Sequence, residues 1–153
     1  MKTIILYATK YGATAEIARR VAEQMGGTVL HDLKQPAPDL SGFDCVIIGS
    51  SIYADSMRKE AKAFVAKNAD VLMKKRLGLF LSTLSGEGDF FAKNFSAQIL
   101  QHAKAKAALG GIFDPTKAGG VERFLMKKIM KTSERVDRIC DEGIRGFAKG
   151  MMS

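Results

Sequence analysis

The chain begins with a strand that runs without interruption into a phosphate-type turn and a helix, and few folds accommodate that order of events. Thr3-Ile4-Ile5-Leu6-Tyr7-Ala8 is an apolar run that passes directly into Thr9-Lys10-Tyr11-Gly12-Ala13-Thr14. A helical pattern follows, with Ile17, Ala18, Val21, Ala22 and Met25 on one face. In α/β proteins the backbone N–H groups of such a turn and the positive end of the following helix point at one spot, which suits an anion. Thr9 and Thr14 add hydroxyls, and Gly12 allows a backbone conformation that a Cβ would hinder. The turn has neither the G-x-G-x-x-G dinucleotide pattern nor the Gly-Lys-Ser/Thr that meets a triphosphate and Mg²⁺. One phosphate held by hydroxyls and amides points to a mononucleotide. The plainer alternative is an ordinary N-capped helix after a strand.

Strands and helices alternate along the rest of the chain. Gly26-Gly27 ends the first helix, and Thr28 to Leu33 reads as a second short strand. After the Pro-rich connection Gln35–Leu40, the continuous apolar run Asp44–Gly49 has the character of a central parallel strand covered on both faces. A helix with Ala61, Phe64, Val65 and Ala69 inward precedes a fourth strand, Arg76–Ser82. Residues from Phe90 to about Ala103 suit a helix, Ala105–Phe113 a fifth strand, and about Ser133–Lys149 a last helix with Val136, Ile139, Cys140, Ile144 and Phe147 at helical spacing. This alternation predicts a doubly wound, five-stranded parallel sheet with helices on both faces. With 153 residues and 46% hydrophobic content, residues 1–153 are expected to form a single domain.

In such sheets ligands sit at the carboxyl ends of the strands, where the strand order reverses. The loops Thr9–Thr14, Ser50–Asp55 and Thr83–Asp89 leave the first, third and fourth strands and should converge there. Cys45 and Cys140 lie far apart without metal-ligand spacing, and Cys45 reads as a buried thiol in an apolar strand. His31 and His102 likewise suggest neither a metal centre nor a catalytic triad. No apolar run approaches the ~20 residues of a membrane span, and no secretory pattern precedes the first strand, so the expected location is cytoplasmic.

The segment Leu6–Thr14 resembles the FMN phosphate loop of flavodoxins, and the order of elements resembles a short-chain flavodoxin over essentially the whole chain. Val46–Tyr53 is similar to the second flavin loop of the flavodoxin-like, menaquinone-dependent protoporphyrinogen oxidases of bacteria. Glu122–Lys131 is similar to their C-terminal segment rich in Phe, Met and Lys. The resemblance implies a flavodoxin-like fold and an FMN cofactor, with the phosphate at Thr9, Lys10, Tyr11, Gly12, Ala13 and Thr14. It also implies that Ser50, Ser51, Ile52 and Tyr53 lie along one face of the isoalloxazine. Ser82, Thr83, Leu84, Ser85 and Gly86 would cover the other face and the pyrimidine edge. The chemistry agrees: Tyr53 or Leu84 offers flat apolar contact, and Ser82, Thr83, Ser85 and loop amides offer polar partners.

The net charge of +8 and the absence of tryptophan depart from the acidic, Trp-bearing electron carriers. A basic surface favours the anionic reduced flavin and an anionic partner. Lys127, Lys128 and Lys131 interleave with Phe124, Leu125, Met126, Ile129 and Met130. That pattern is either a helix packed on the sheet with solvated lysines or a surface for anionic lipid at the inner face of a membrane, or for a porphyrinogen dicarboxylate. Nucleic acid is not an expected partner, because the basic residues are not interleaved with stacking aromatics. Two functions follow from the resemblance. One is an FMN-dependent oxidoreductase passing electrons from a porphyrinogen to a quinone. The other is an electron-transfer carrier docking on an acidic redox partner protein, which the short loop after the fourth strand favours.

Overall fold

The computed structural model describes residues 1–84, 89–113 and 136–153. Its centre is a parallel sheet in the order β2 (Val29–Asp32), β1 (Thr3–Ala8), β3 (Cys45–Tyr53), β5 (Arg76–Ser82), β6 (Ala105–Ala108). A short antiparallel strand, β4 (Ser56–Met57), adds to the end of β3. β7 (Ile112–Phe113) and β8 (Val136–Asp137) form a separate antiparallel pair. The doubly wound parallel sheet expected from the alternation of elements is therefore present.

Continuous apolar strands form here because both sheet faces are covered. β1 pairs with β3 in the register Ile4↔Val46, Ile5↔Ile47, Leu6↔Ile48, and all six side chains are buried. Alternation divides them between two cores. Ile4, Leu6, Val46, Ile48, Leu77 and Leu79 pack beneath α2 (Lys59–Leu72), α3 (Phe90–Asn94) and α4 (Ala97–His102). Ile5, Ile47 and Phe80 face α1 (Ala13–Met25) and α5 (Asp141–Met152), whose Ile17, Val21, Ile144, Phe147 and Met151 complete that layer. Each such fully buried aliphatic or aromatic side chain contributes roughly 1.5–3 kcal/mol. Phe80 fits because its β3 neighbour is Gly49: a Cβ there would stand 2.0 Å from the Phe80 Cζ. The Phe80 ring in turn meets Phe147 edge-on at 6.1 Å.

The expected loop Ser50–Asp55 is strand as far as Tyr53, where β3 pairs with β4, and three elements after β5 also depart from the sequence expectation. The helix expected from Phe90 to Ala103 breaks at Phe95, which is extended and buried in the core, and Ser96 starts α4 by accepting a hydrogen bond from the Ile99 N–H. The fifth strand ends at Ala108, and Gly110 turns the chain with φ +85° before β7. The last helix starts at Asp141 rather than near Ser133, because Val136–Asp137 pairs with β7 and the Cys140 Sγ caps the helix by accepting from the Gly143 N–H. Cys140 is thus exposed at a cap rather than on the inner face. Cys45 is buried, and desolvation pushes its thiol pKa up.

Hydrogen bonds from Arg19 and then Arg20 outweigh partial burial and hold the Glu16 carboxyl at about 2, below its ordinary 4.5. Arg20 also reaches Asp141 at 3.0 Å, tying α1 to the start of α5. A carboxyl depressed on folding stabilises the protein above its unfolded pKa, and that contribution is lost as pH falls through the folded value. Glu16→Gln should therefore melt below the wild type at pH 6, by no more than ~1 kcal/mol for a partly exposed pair. The melting temperatures should converge as pH falls from about 5 through about 2. A gap independent of pH would remove this role from Glu16.

Candidate functional site

The carboxyl ends of β1, β3 and β5 and the chain leaving β6 converge on one cleft. The turn after β1 contributes Thr9, Lys10, Tyr11 and Ala13, and the end of β3 contributes Ser51, Ile52 and Tyr53. Ser82, Thr83 and Leu84 come from the end of β5, and Gly111 and Ile112 complete the wall. Strand order reverses between β1 and β3, so the cleft lies where a doubly wound sheet places its ligand.

The turn is built around Gly12. Its φ of +98° is a left-handed conformation that disfavours a Cβ, although the space beside it is open. The Gly12 N–H donates to the Thr9 Oγ1 at 2.9 Å, which curls the turn and leaves the Thr9 hydroxyl proton available to donate. No side chain caps α1, so its first-turn N–H groups keep the positive character of a helix start. Thr14 is fully buried, and its Oγ1 has no hydrogen-bond partner. The buried Ser51 Oγ is in the same position. Leaving a buried hydroxyl unsatisfied costs about 1–3 kcal/mol, so a ligand that satisfies these groups binds at an advantage.

At the rim the Lys10 Nζ lies 4.1 Å from the centre of the Tyr53 ring and 5.1 Å from that of Tyr11, both within cation–π range. The ammonium thus bridges the β1 turn and the end of β3. Tyr53 remains 39% exposed, enough ring surface to meet a flat ligand as well.

The family model for the flavodoxin domain matches residues 4–138. This chain belongs to the flavodoxin domain family. It is 25% identical over 146 residues to the protoporphyrinogen IX dehydrogenase [quinone] of Escherichia coli strain K12, covering 87% of this chain and 81% of that protein. Its fold is similar to that of flavodoxin 1 from Bacillus cereus, with a TM-score of 0.64, 13% identity and coverage of 99% and 97% of the two chains. The two-electron-reduced flavodoxin of Megasphaera elsdenii gives a TM-score of 0.63 at 16% identity, covering 96% and 98%.

FMN is the cofactor of this flavodoxin domain, and the site fits it. A left-handed glycine turn, an uncapped helix start and a buried unpartnered threonine hydroxyl form a suitable set for a phosphate monoester. Among the residues expected to contact the cofactor, Thr9, Lys10, Tyr11, Ala13, Ser51, Ile52, Tyr53, Ser82, Thr83 and Leu84 line the cleft. Gly12, the N-cap of α1, and the buried Thr14 in its first turn stand beside the lining residues and are not among them. Ser50 differs from the rest. It lies within β3, is buried, and its hydroxyl accepts from the Arg58 N–H and donates to the Ser51 carbonyl. Ser85 and Gly86 lie outside the described residues, as do Lys127, Lys128 and Lys131. Gly111 and Ile112 are wall residues that sequence reasoning missed. The Gly110-Gly111 pair breaking an expected strand was the available signal. No helix among the described residues is long and apolar enough to cross a membrane.

Proposed function

We propose that the cleft binds FMN and that the protein is an oxidoreductase of the protoporphyrinogen oxidase type, passing electrons from a porphyrinogen through the flavin to a quinone. Similarity to the E. coli dehydrogenase over 87% of the chain carries the reading. Bound FMN supplies the hydride-accepting and electron-passing centre. The turn Thr9–Thr14 holds the phosphate through amides and the Thr9 and Thr14 hydroxyls. Ser51, Ile52 and Tyr53 take one face of the ring system. Ser82, Thr83 and Leu84 take the other, with Gly111 and Ile112 beside them. Lys10 adds a positive charge at the rim that favours an anionic reduced cofactor and an anionic substrate.

The test is an anaerobic visible spectrum of the FMN-reconstituted protein before and after protoporphyrinogen IX is added. Flavin bands should bleach as porphyrin bands grow, and a quinone should restore them. Bound flavin that stays oxidised would transfer the assignment to the second reading, an electron carrier for an acidic redox partner. That reading is favoured by the nearly complete mutual coverage with flavodoxins from Bacillus cereus and Megasphaera elsdenii.

A further inference from the structure

The β3 wall of the cleft ends in a hairpin whose turn is unfavourable in itself. β3 leaves the sheet at Tyr53 and returns as β4, pairing Tyr53 with Ser56 across the two residues Ala54 and Asp55. Both have left-handed φ angles, 51° and 65°, and they are the non-glycine residues with positive φ among those described. Two-residue hairpins of type I′ need positive φ at both central positions, which Asn and Gly adopt readily. Alanine resists it, because its Cβ crowds the following carbonyl oxygen.

What holds this turn comes from α3. Asn94, in the last turn of α3, accepts a hydrogen bond from the Met57 N–H at 2.9 Å through Oδ1. Its Nδ2 donates to the Asp55 carbonyl at 3.0 Å and to the Phe90 carbonyl of its own helix at 2.8 Å. One side-chain amide thus grips the turn, the returning strand and α3 together. Lys93 of the same helix stands 3.6 Å from the Asp55 carboxylate. α3 is the helix that follows the Thr83–Leu84 wall, with Asp89 capping it through the Ala92 N–H.

Resting on the reading of the cleft as an FMN site, we propose that Asn94 is a positioning residue that locks the strained Ala54–Asp55 turn and so fixes Ser51, Ile52 and Tyr53 for the flavin. Asn94 is not among the residues that line the cleft, so it acts on the cofactor through the segments it holds, the hairpin first.

The test compares the wild type with Asn94→Ala, Ala54→Gly and their combination, using FMN fluorescence titration, the visible spectrum of bound flavin and amide hydrogen exchange at Met57. Asn94→Ala should raise the FMN dissociation constant about tenfold and speed Met57 exchange by at least about tenfold, the scale of a lost, partly buried hydrogen bond. It should also shift the flavin bands. Adding Ala54→Gly should recover at least half of the lost affinity on a logarithmic scale, because glycine keeps the turn without the clamp. If Asn94→Ala does not fold, Asn94→Ser replaces it, with a smaller loss and the same rescue expected.

FMN affinity within twofold of wild type despite faster Met57 exchange would overturn the positioning role. So would a double variant as weak as Asn94→Ala alone. A wild type that takes up no FMN would overturn the flavin reading and the positioning role with it. Met57 exchange in the FMN-free variants would then still report separately on whether the clamp exists.

Discussion

Gly110→Ala is expected to lower the free energy of unfolding by about 3–5 kcal/mol, the range reserved for changes that a packed fold cannot absorb. The position has a left-handed φ of +85°. A Cβ there would lie 1.9 Å from the Arg138 carbonyl oxygen, 2.8 Å from its carbon and 3.0 Å from the Ile139 Cα. All three are backbone atoms, so no rotamer change relieves the overlap. Separating the strands would also cost the hydrogen bonds that bring them together: Thr83 N–H to the Gly110 carbonyl, Arg138 N–H to the Gly111 carbonyl and Cys140 N–H to the Leu109 carbonyl, at 2.9, 2.8 and 3.0 Å. Those bonds hold Gly111 and Ile112 in the cleft wall, so FMN affinity should fall along with stability. Gly26→Ala is the control. It has φ +73° and ψ 146° but nothing within 4 Å of the added Cβ, so it should cost only the ~1–3 kcal/mol of a backbone region that favours glycine. Equal urea midpoints for the two variants would show that the close approach at Gly110 does not exist in solution.

Thr14→Val should move stability and cofactor affinity in opposite directions. Valine is nearly the same shape as threonine, and the Thr14 hydroxyl is buried without a partner. Removing it relieves an unsatisfied polar group, so the FMN-free protein should gain up to ~1 kcal/mol in a thermal melt. If that hydroxyl donates to the FMN phosphate, binding should weaken by about 1.5–3 kcal/mol, the value of a hydrogen bond to a charged group. That is roughly ten- to hundredfold in the dissociation constant from a fluorescence titration. A purely structural threonine would shift stability and leave the titration alone, and the phosphate assignment to this turn would then fail.

Much of this was legible in the residues. β1 and the first half of β3 are continuous apolar runs, which only a sheet covered on both faces can bury. The turn Thr9–Thr14 combines a glycine with hydroxyls before an amphipathic helix, a local pattern with a local cause. The second loop was less legible. Ser50–Asp55 has the composition of a loop, yet β3 continues to Tyr53 because β4 pairs with it and Asn94 grips the result from α3. The spacing of Val136 and Ile139 fits a helix, but pairing of Val136–Asp137 with Ile112–Phe113 overrides that local preference.

The sequence by itself determined what neighbouring residues decide together: the alternating order of strands and helices, the inward faces, and a turn shaped for an anion at the head of α1. Hydrophobic period and glycine placement act within a few residues, so they can be read without knowing where the chain goes next. Only the tertiary structure decided that Gly111 and Ile112 close the cleft, that Gly110 lies against the Arg138 backbone, and that an amide 37 residues beyond Met57 holds the β3 hairpin in its left-handed turn. Each of these depends on a hydrogen bond or a steric contact between segments far apart in the chain. Such contacts leave no mark on local propensity, because their energy exists only once the sheet has brought the segments together.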